Sequence, residues 1–220
     1  MTEPTAAPTA PEPSAWNIAN ALTVLRLFLV PVFGWLLLAD GGQNVAFRWW
    51  AFGAFFVAML TDRIDGDLAR SRGLVTNFGK VADPIADKAL VTMALIALSI
   101  IHEVPWWITV VILGREWTIT AMRFFVIRHG VMAAGRGGKL KTLLQALGLG
   151  FFVWPRWSLP MPGFWDALAW GFLLAALVVT VATGIDYVVQ AMRLRQTSPR
   201  AAMKRAAQEA RRVARERGHQ

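Results

Sequence analysis

The stretch "FFVAMLTDRIDGDLAR", residues 55–70, decides how the chain is read. It begins as an apolar run fit for a lipid bilayer and then presents Asp62, Asp65 and Asp67 within a few residues. A second boundary mirrors it. In "ADPIADKALVTMALIALSI", residues 82–100, Asp83 and Asp87 open the next apolar run. Acidic side chains gathered where two apolar segments meet water must be neutralised by something.

The surrounding composition says what kind of chain this is. Of 220 residues, 55% are hydrophobic and 17% are charged, and the mean hydropathy is +0.43. Soluble domains have about a quarter of their residues charged. The apolar residues fall in runs near the bilayer-spanning length of about 20 residues. The expected fold is an all-α membrane protein of six transmembrane helices, at about 19–39, 45–64, 83–102, 105–128, 139–154 and 165–190. Cysteine is absent, which excludes disulfide and thiol chemistry. Residues 1–15, rich in Pro, Ala and Thr and without Lys or Arg, read as a disordered tail rather than a signal peptide. Residues 16–192 then form one transmembrane catalytic domain, and 193–220 a basic cytoplasmic tail. No internal repeat is visible, which weakens a transporter built from duplicated halves.

Lysines and arginines orient the bundle. The connection at 62–88 has five, that at 128–141 has four, and the tail from 193 has nine. The other connections hold Arg48 and Arg156, while Arg26, Arg115 and Arg123 lie within spans. Cationic loops stay cytoplasmic, so both termini and the acidic region are expected to face the cytoplasm from an inner (plasma) membrane. The tryptophans at 49–50, 106–107, 154 and 157 fall at the opposite interface, where indoles anchor. The net charge of +9 owes much to the tail. That tail either meets anionic lipid headgroups, at about 1 kcal/mol per residue, or is a solvated Ala-rich helix. The topology rule already accounts for the charge, so no nucleic-acid partner is expected.

Asp62 and Asp65 are three apart and share a helix face; Asp83 and Asp87, four apart, share another. If the two helices pack side by side, four carboxylates converge and repel one another. Oxygen-only ligands suit hard divalent ions such as Mg²⁺, Mn²⁺ or Ca²⁺, and two ions would neutralise four charges. The alternative is that Asp83, followed by Pro84, caps a helix, with Asp62 and Asp65 solvating a helix end. Gly66 and Gly79 make room for something close, and Arg70 can clamp a phosphate bidentately.

The segment "DRIDGDLARSRGLVTNFGKVADPIAD", residues 62–87, resembles the signature of the CDP-alcohol phosphatidyltransferases, D-x2-D-G-x2-A-R-x8-G-x3-D-x3-D. Its fixed positions are filled by Asp62, Asp65, Gly66, Ala69, Arg70, Gly79, Asp83 and Asp87. The resemblance implies a six-helix bundle, a homodimer, and a divalent pair (Mg²⁺, with Mn²⁺ as the alternative) serving transfer of a phosphatidyl-type group from a CDP-linked donor to an alcohol. It implies that Asp62, Asp65 and Asp83 hold the ions with Asp87 at their edge. It places the cytidine near Gly66, Ala69 and Gly79, and makes Asp87 the general base.

The acceptor is read from other stretches. "NIANALTVLRLFLVPVF", "GREWTITAMRFF" and "GGKLKTLLQ" resemble the phosphatidylglycerophosphate synthase branch of the family, with Ala19 where that opening pattern has proline. This implies CDP-diacylglycerol as donor and sn-glycerol 3-phosphate as acceptor, drawn from a setting of membrane lipids. Arg115, Glu116 and Arg123 lie in an otherwise apolar helix, where ionisable groups are costly and usually face a cavity. Arg115 and Glu116 are either a structural ion pair or, for Arg115, a lipid-phosphate contact. Arg115, Arg123, Lys139 and Lys141 are the candidates for the acceptor phosphate. Rivals are a cardiolipin synthase using phosphatidylglycerol, a phosphatidylinositol phosphate synthase and, from another class, a divalent-cation transporter. The transporter would want its polar residues near the bilayer midplane.

Overall fold

The structure, a computed structural model, describes residues 18–72, 77–126 and 137–197, and within these the side chains at 19, 63–72, 77–84, 87, 122–126, 137–139 and 190–197 stand outside the description. Six α-helices follow in order among the described residues: α1 (Ile18–Leu38), α2 (Val45–Arg72), α3 (Asn77–Ile100), α4 (Trp106–Val126), α5 (Gly137–Val153) and α6 (Pro162–Thr197). Short 3₁₀ turns occupy Ala39–Gly42 and Arg156–Ser158. The expected all-α membrane architecture is what is found. Three stretches are long and apolar enough to cross a bilayer, Asn20–Gly42, Val45–Asp62 and Pro162–Val189; Lys88–Ile100 and Leu140–Val153 are shorter apolar helices. The expected tails fall largely outside the described residues, although α6 runs on to Thr197, beyond the boundary set at 192.

Besides the longer α6, the helix ends on either side of the acidic region differ from expectation. α2 was expected to stop near 64 and continues to Arg72; α3 was expected to start at 83 and starts at Asn77. The apolar part of α2 ends at Asp62, but beyond it only Gly66 disfavours helix, by about 1 kcal/mol against alanine. The residues Asp-Leu-Ala-Arg-Ser-Arg cost little in a helix, so the helix extends about 15 Å past the last apolar turn at 1.5 Å per residue. Asp83 is therefore six residues inside α3 and is no N-cap. Pro84 is carried within the helix, as Pro31 is within α1.

The chain divides into two compact units, Met1–Trp106 with Gly148–Ala169, and Trp107–Leu147 with Trp170–Gln220. In the first, α1 packs along both α2 and α3. Without a strong hydrophobic drive between helices in lipid, close approach of small residues supplies the packing. Ala51, Ala58, Ala86, Ala94 and Ala97 are fully buried beside Phe33, Phe55 and Leu90. A Cβ on Gly34 would lie 2.6 Å from Met93 Sδ, so a larger residue there would have to displace the flexible Met93 side chain. The α1–α2 turn is left-handed at Asp40, Gly41 and Gly42. Asn44 then caps α2, its Oδ1 accepting from the amides of Ala46 and Phe47 at 3.0 and 3.2 Å.

The same unit closes one end with charge. Arg48, fully buried, donates to the carbonyls of Gly42 (2.8 Å) and Phe152 (3.0 Å) and pairs with Glu103. Glu103 also pairs with Arg156, and Arg156 with Asp166. The Arg48 guanidinium lies 4.7 Å from the Trp157 ring centre. Around this network Trp49, Phe52, Phe151, Trp154 and Trp165 form a continuous aromatic cluster with ring centres 5.3–6.2 Å apart.

Candidate active site

The signature residues stand on the helical extensions where apolar sequence gives out. Asp62 and Asp65 lie one turn apart on α2, with Gly66, Ala69 and Arg70 following on the same helix. Gly79, Asp83 and Asp87 lie on the first turns of α3, before its apolar stretch opens at Lys88. The side chains of Asp65, Asp83, Asp87, Ala69 and Arg70 lie outside the described residues, and among the described residues no three His, Cys, Asp or Glu side chains converge.

Asp62 is described, and it has a partner that sequence reasoning missed. Its Oδ1 lies 2.7 Å from Nη1 of Arg26, which is fully buried, while the Asp62 side chain is 42% exposed. α1 supplies more than this arginine. Asn20, Thr23 and Arg26 are all buried, at steps of three along one face. Neighbouring Thr61 is satisfied within α2, its hydroxyl donating to the carbonyls of Val57 and Ala58. The signal for Arg26 was present: a cation within an apolar run, in register with Asn20 and Thr23.

The donor chemistry fits a divalent cation. Four aspartates on adjacent turns of α2 and α3 offer oxygen only, as hard ions require. One oxygen of Asp62 lies against Arg26, and the carboxylate side chain is half-exposed.

The second unit holds a separate polar cluster. Arg115 on α4 donates from Nη1 to Glu116 Oε1 (3.0 Å), from Nε to the Thr180 carbonyl (3.1 Å) and from Nη2 to Thr183 Oγ1 (2.7 Å). Lys141 on α5, largely buried, forms an ion pair with the same Glu116. A Cβ on Gly184 of α6 would lie 3.1 Å from Arg115 Cγ, so the glycine leaves room for the arginine. The Arg115–Glu116 ion pair, one of the two readings left open, is present, with Nη1 and Oε1 3.0 Å apart. One turn beyond Lys141, the buried Gln145 has an Nε2 without a hydrogen-bond partner. Thus Arg115 and Lys141 meet on Glu116, which had not been counted a site residue; Arg123 and Lys139 have side chains outside the described residues.

Known proteins bear on this arrangement. The sequence profile described as CDP-alcohol phosphatidyltransferase matches residues 16–183. A probable phosphatidylglycerophosphate synthase of Mycobacterium tuberculosis (strain CDC 1551 / Oshkosh) is 48% identical over 186 residues, covering 83% of this chain and 87% of the relative. The CDP-diacylglycerol–glycerol-3-phosphate 3-phosphatidyltransferase of Bacillus subtilis (strain 168) is 35% identical over 185 residues, covering 78% and 93%. The namesake enzyme of Haemophilus influenzae is 32% identical over 181 residues, covering 79% and 92%. With the signature complete on α2 and α3 and the match spanning most of the chain, this protein belongs to the CDP-alcohol phosphatidyltransferase family, whose members depend on divalent metal.

Proposed function

We propose that the protein transfers the phosphatidyl group of CDP-diacylglycerol to sn-glycerol 3-phosphate, giving phosphatidylglycerol phosphate and CMP. The observation that carries this reading is the eight-residue signature on the two helical extensions, in a chain 48% identical to a probable phosphatidylglycerophosphate synthase. The donor's acyl chains remain in the bilayer while its headgroup reaches the α2 and α3 extensions, at the level where the apolar stretch ends at Asp62.

In this reading Asp62, Asp65 and Asp83 would hold divalent ions, two Mg²⁺ or Mn²⁺, with Asp87 at their edge. Bound there, such ions would neutralise the diphosphate and stabilise charge on the departing phosphate. The chain's own residues do the rest. Gly66, Ala69 and Gly79 give the cytidine a close approach to backbone, and Arg70 clamps a phosphate with its guanidinium fork. Asp87 takes the proton from the acceptor's primary hydroxyl as its oxygen bonds to the phosphorus bearing the diacylglycerol. The bond from that phosphorus to the bridging oxygen breaks, and CMP leaves with the electron pair. Arg123 and Lys139 attract the acceptor's own phosphate, together with Arg115 and Lys141, which Glu116 holds in position.

The distribution of lysine and arginine supports an inner-membrane protein of six spans with both termini and the site on the cytoplasmic side. Assembly as a homodimer follows the family resemblance. The deciding experiment supplies purified protein with CDP-diacylglycerol and Mg²⁺ and measures CMP release with different acceptors. Release with glycerol 3-phosphate, but not with phosphatidylglycerol or inositol phosphate, is expected. Inert glycerol 3-phosphate with either of the others active would overturn the acceptor.

A further inference from the structure

The buried stripe of α1 changes character along its length. Toward the end of the helix its buried positions are Leu37, Gly34, Phe33 and Val30; toward the start they are Arg26, Thr23 and Asn20. A helix in lipid buries polar side chains in succession only toward polar partners, because unpaired ones are costly there. Arg26 forms an ion pair with Asp62, the first aspartate of the signature: Nη1 and Oδ1 are 2.7 Å apart, a contact between charges in which that N–H is not aimed as a hydrogen bond.

We infer that Arg26 is a positioning residue for the divalent-cation site: it tethers one carboxylate oxygen of Asp62 from α1 and so orients the other toward the ion. A guanidinium keeps its charge at any working pH and presents several donors in a fixed plane. Arg26 is fully buried, so its position is set by the packing of α1 rather than by solvent. The Asp62 carboxylate is thus half-exposed while the cation it pairs with is fully buried. Groups that orient a metal-ligating side chain typically carry about 10–100-fold in metal affinity. The guanidinium also repels a cation, and that effect alone would make its loss tighten binding. Its charge is engaged at short range with Oδ1, so orientation is expected to dominate.

The inference rests on the proposed metal role of the aspartates, and the test separates the two. Mn²⁺ affinity is measured on the purified full-length chain in detergent, from the electron paramagnetic resonance signal of free Mn²⁺. Arg26→Gln is expected to weaken binding about 10–100-fold, and Arg26→Lys, which keeps the charge but not the fork, by a smaller factor of at least about threefold. In an Asp62→Asn background, Arg26→Gln should add no further loss, since it acts through that carboxylate. Native-like or tighter binding by Arg26→Gln overturns the inference. If that variant does not fold, native-like binding by Arg26→Lys does the same. Should Asp62→Asn bind Mn²⁺ as the native chain does, the metal reading itself fails. If Asp62→Asn loses the ion and the Arg26 variants keep it, only the role of Arg26 falls.

Discussion

α2 meets buried charge near its start and again where its apolar stretch ends, and the two centres are built on opposite plans. Near its start, Arg48 and Arg156 face Glu103 and Asp166, and the pairs close on themselves with backbone carbonyls and a tryptophan face filling the remaining directions. Fourteen residues on, about 21 Å along the axis, Arg26 meets Asp62, and the signature adds three more aspartates on α2 and α3. Balanced, enclosed charge fastens elements together. At the second centre the buried Arg26 meets a carboxylate that stays half-exposed, which leaves Asp62 in reach of something from outside. The first centre reads as a clasp and the second as a site, although both are made of arginine and carboxylate.

Substitutions can break that distinction. The largest effect is expected at the open end. Asp87→Asn should lower turnover about 10³-fold, within the range a general base contributes, while donor binding persists; single-turnover assays beside a CDP-diacylglycerol binding measurement check both. Normal turnover would remove Asp87 from the chemistry. At the closed end, Glu103→Gln strips the carboxylate shared by two largely buried guanidiniums. Breaking a buried pair in this way costs about 3–5 kcal/mol of stability. Thermal unfolding in detergent should show the loss, while the turnover of molecules that remain folded stays near native. A large fall in turnover without loss of stability would mean that the clasp has a catalytic role.

The second unit offers intermediate cases. Glu116→Gln frees Arg115 and Lys141 from their common carboxylate. The KM for glycerol 3-phosphate is expected to rise about tenfold, with kcat changing less, because misplaced cations weaken capture of the acceptor. An unchanged KM would detach this cluster from acceptor binding. Gly184→Ala should have the smallest effect. The new methyl would press on the flexible stem of Arg115 at 3.1 Å, and an overpacking cost of about 1 kcal/mol is expected, read as a small drop in unfolding temperature. A much larger drop would show that Arg115 cannot yield.

How much of this could be read from the chain depends on what each feature requires. The number and order of helices follow from apolar runs, which α1 and α6 display without interruption. The inner ends of α2 and α3 could not be read that way. Apolarity stops at Asp62, whereas hydrogen-bonded helix continues through the charged residues to Arg72. Pro84 looked like a helix start, and it is carried inside α3. Within the site, the spacing of the four aspartates is local and visible in the sequence. The pairing of Arg26 with Asp62 joins two helices across 36 residues and depends on how α1 packs. Arg48 and Arg156 were counted only as cations of the sparsely charged side. Their shared partner Glu103 lies in the α3–α4 turn, and no pattern along the sequence links the three.

The central claim is that Asp62, Asp65, Asp83 and Asp87 form one divalent-cation site between α2 and α3. Anomalous scattering from crystals of the full-length protein grown with Mn²⁺ tests it most directly. The expected result is manganese within about 2.0–2.6 Å of carboxylate oxygens from both helices. Manganese bound by one helix alone, or bound elsewhere with the four aspartates apart, would contradict it.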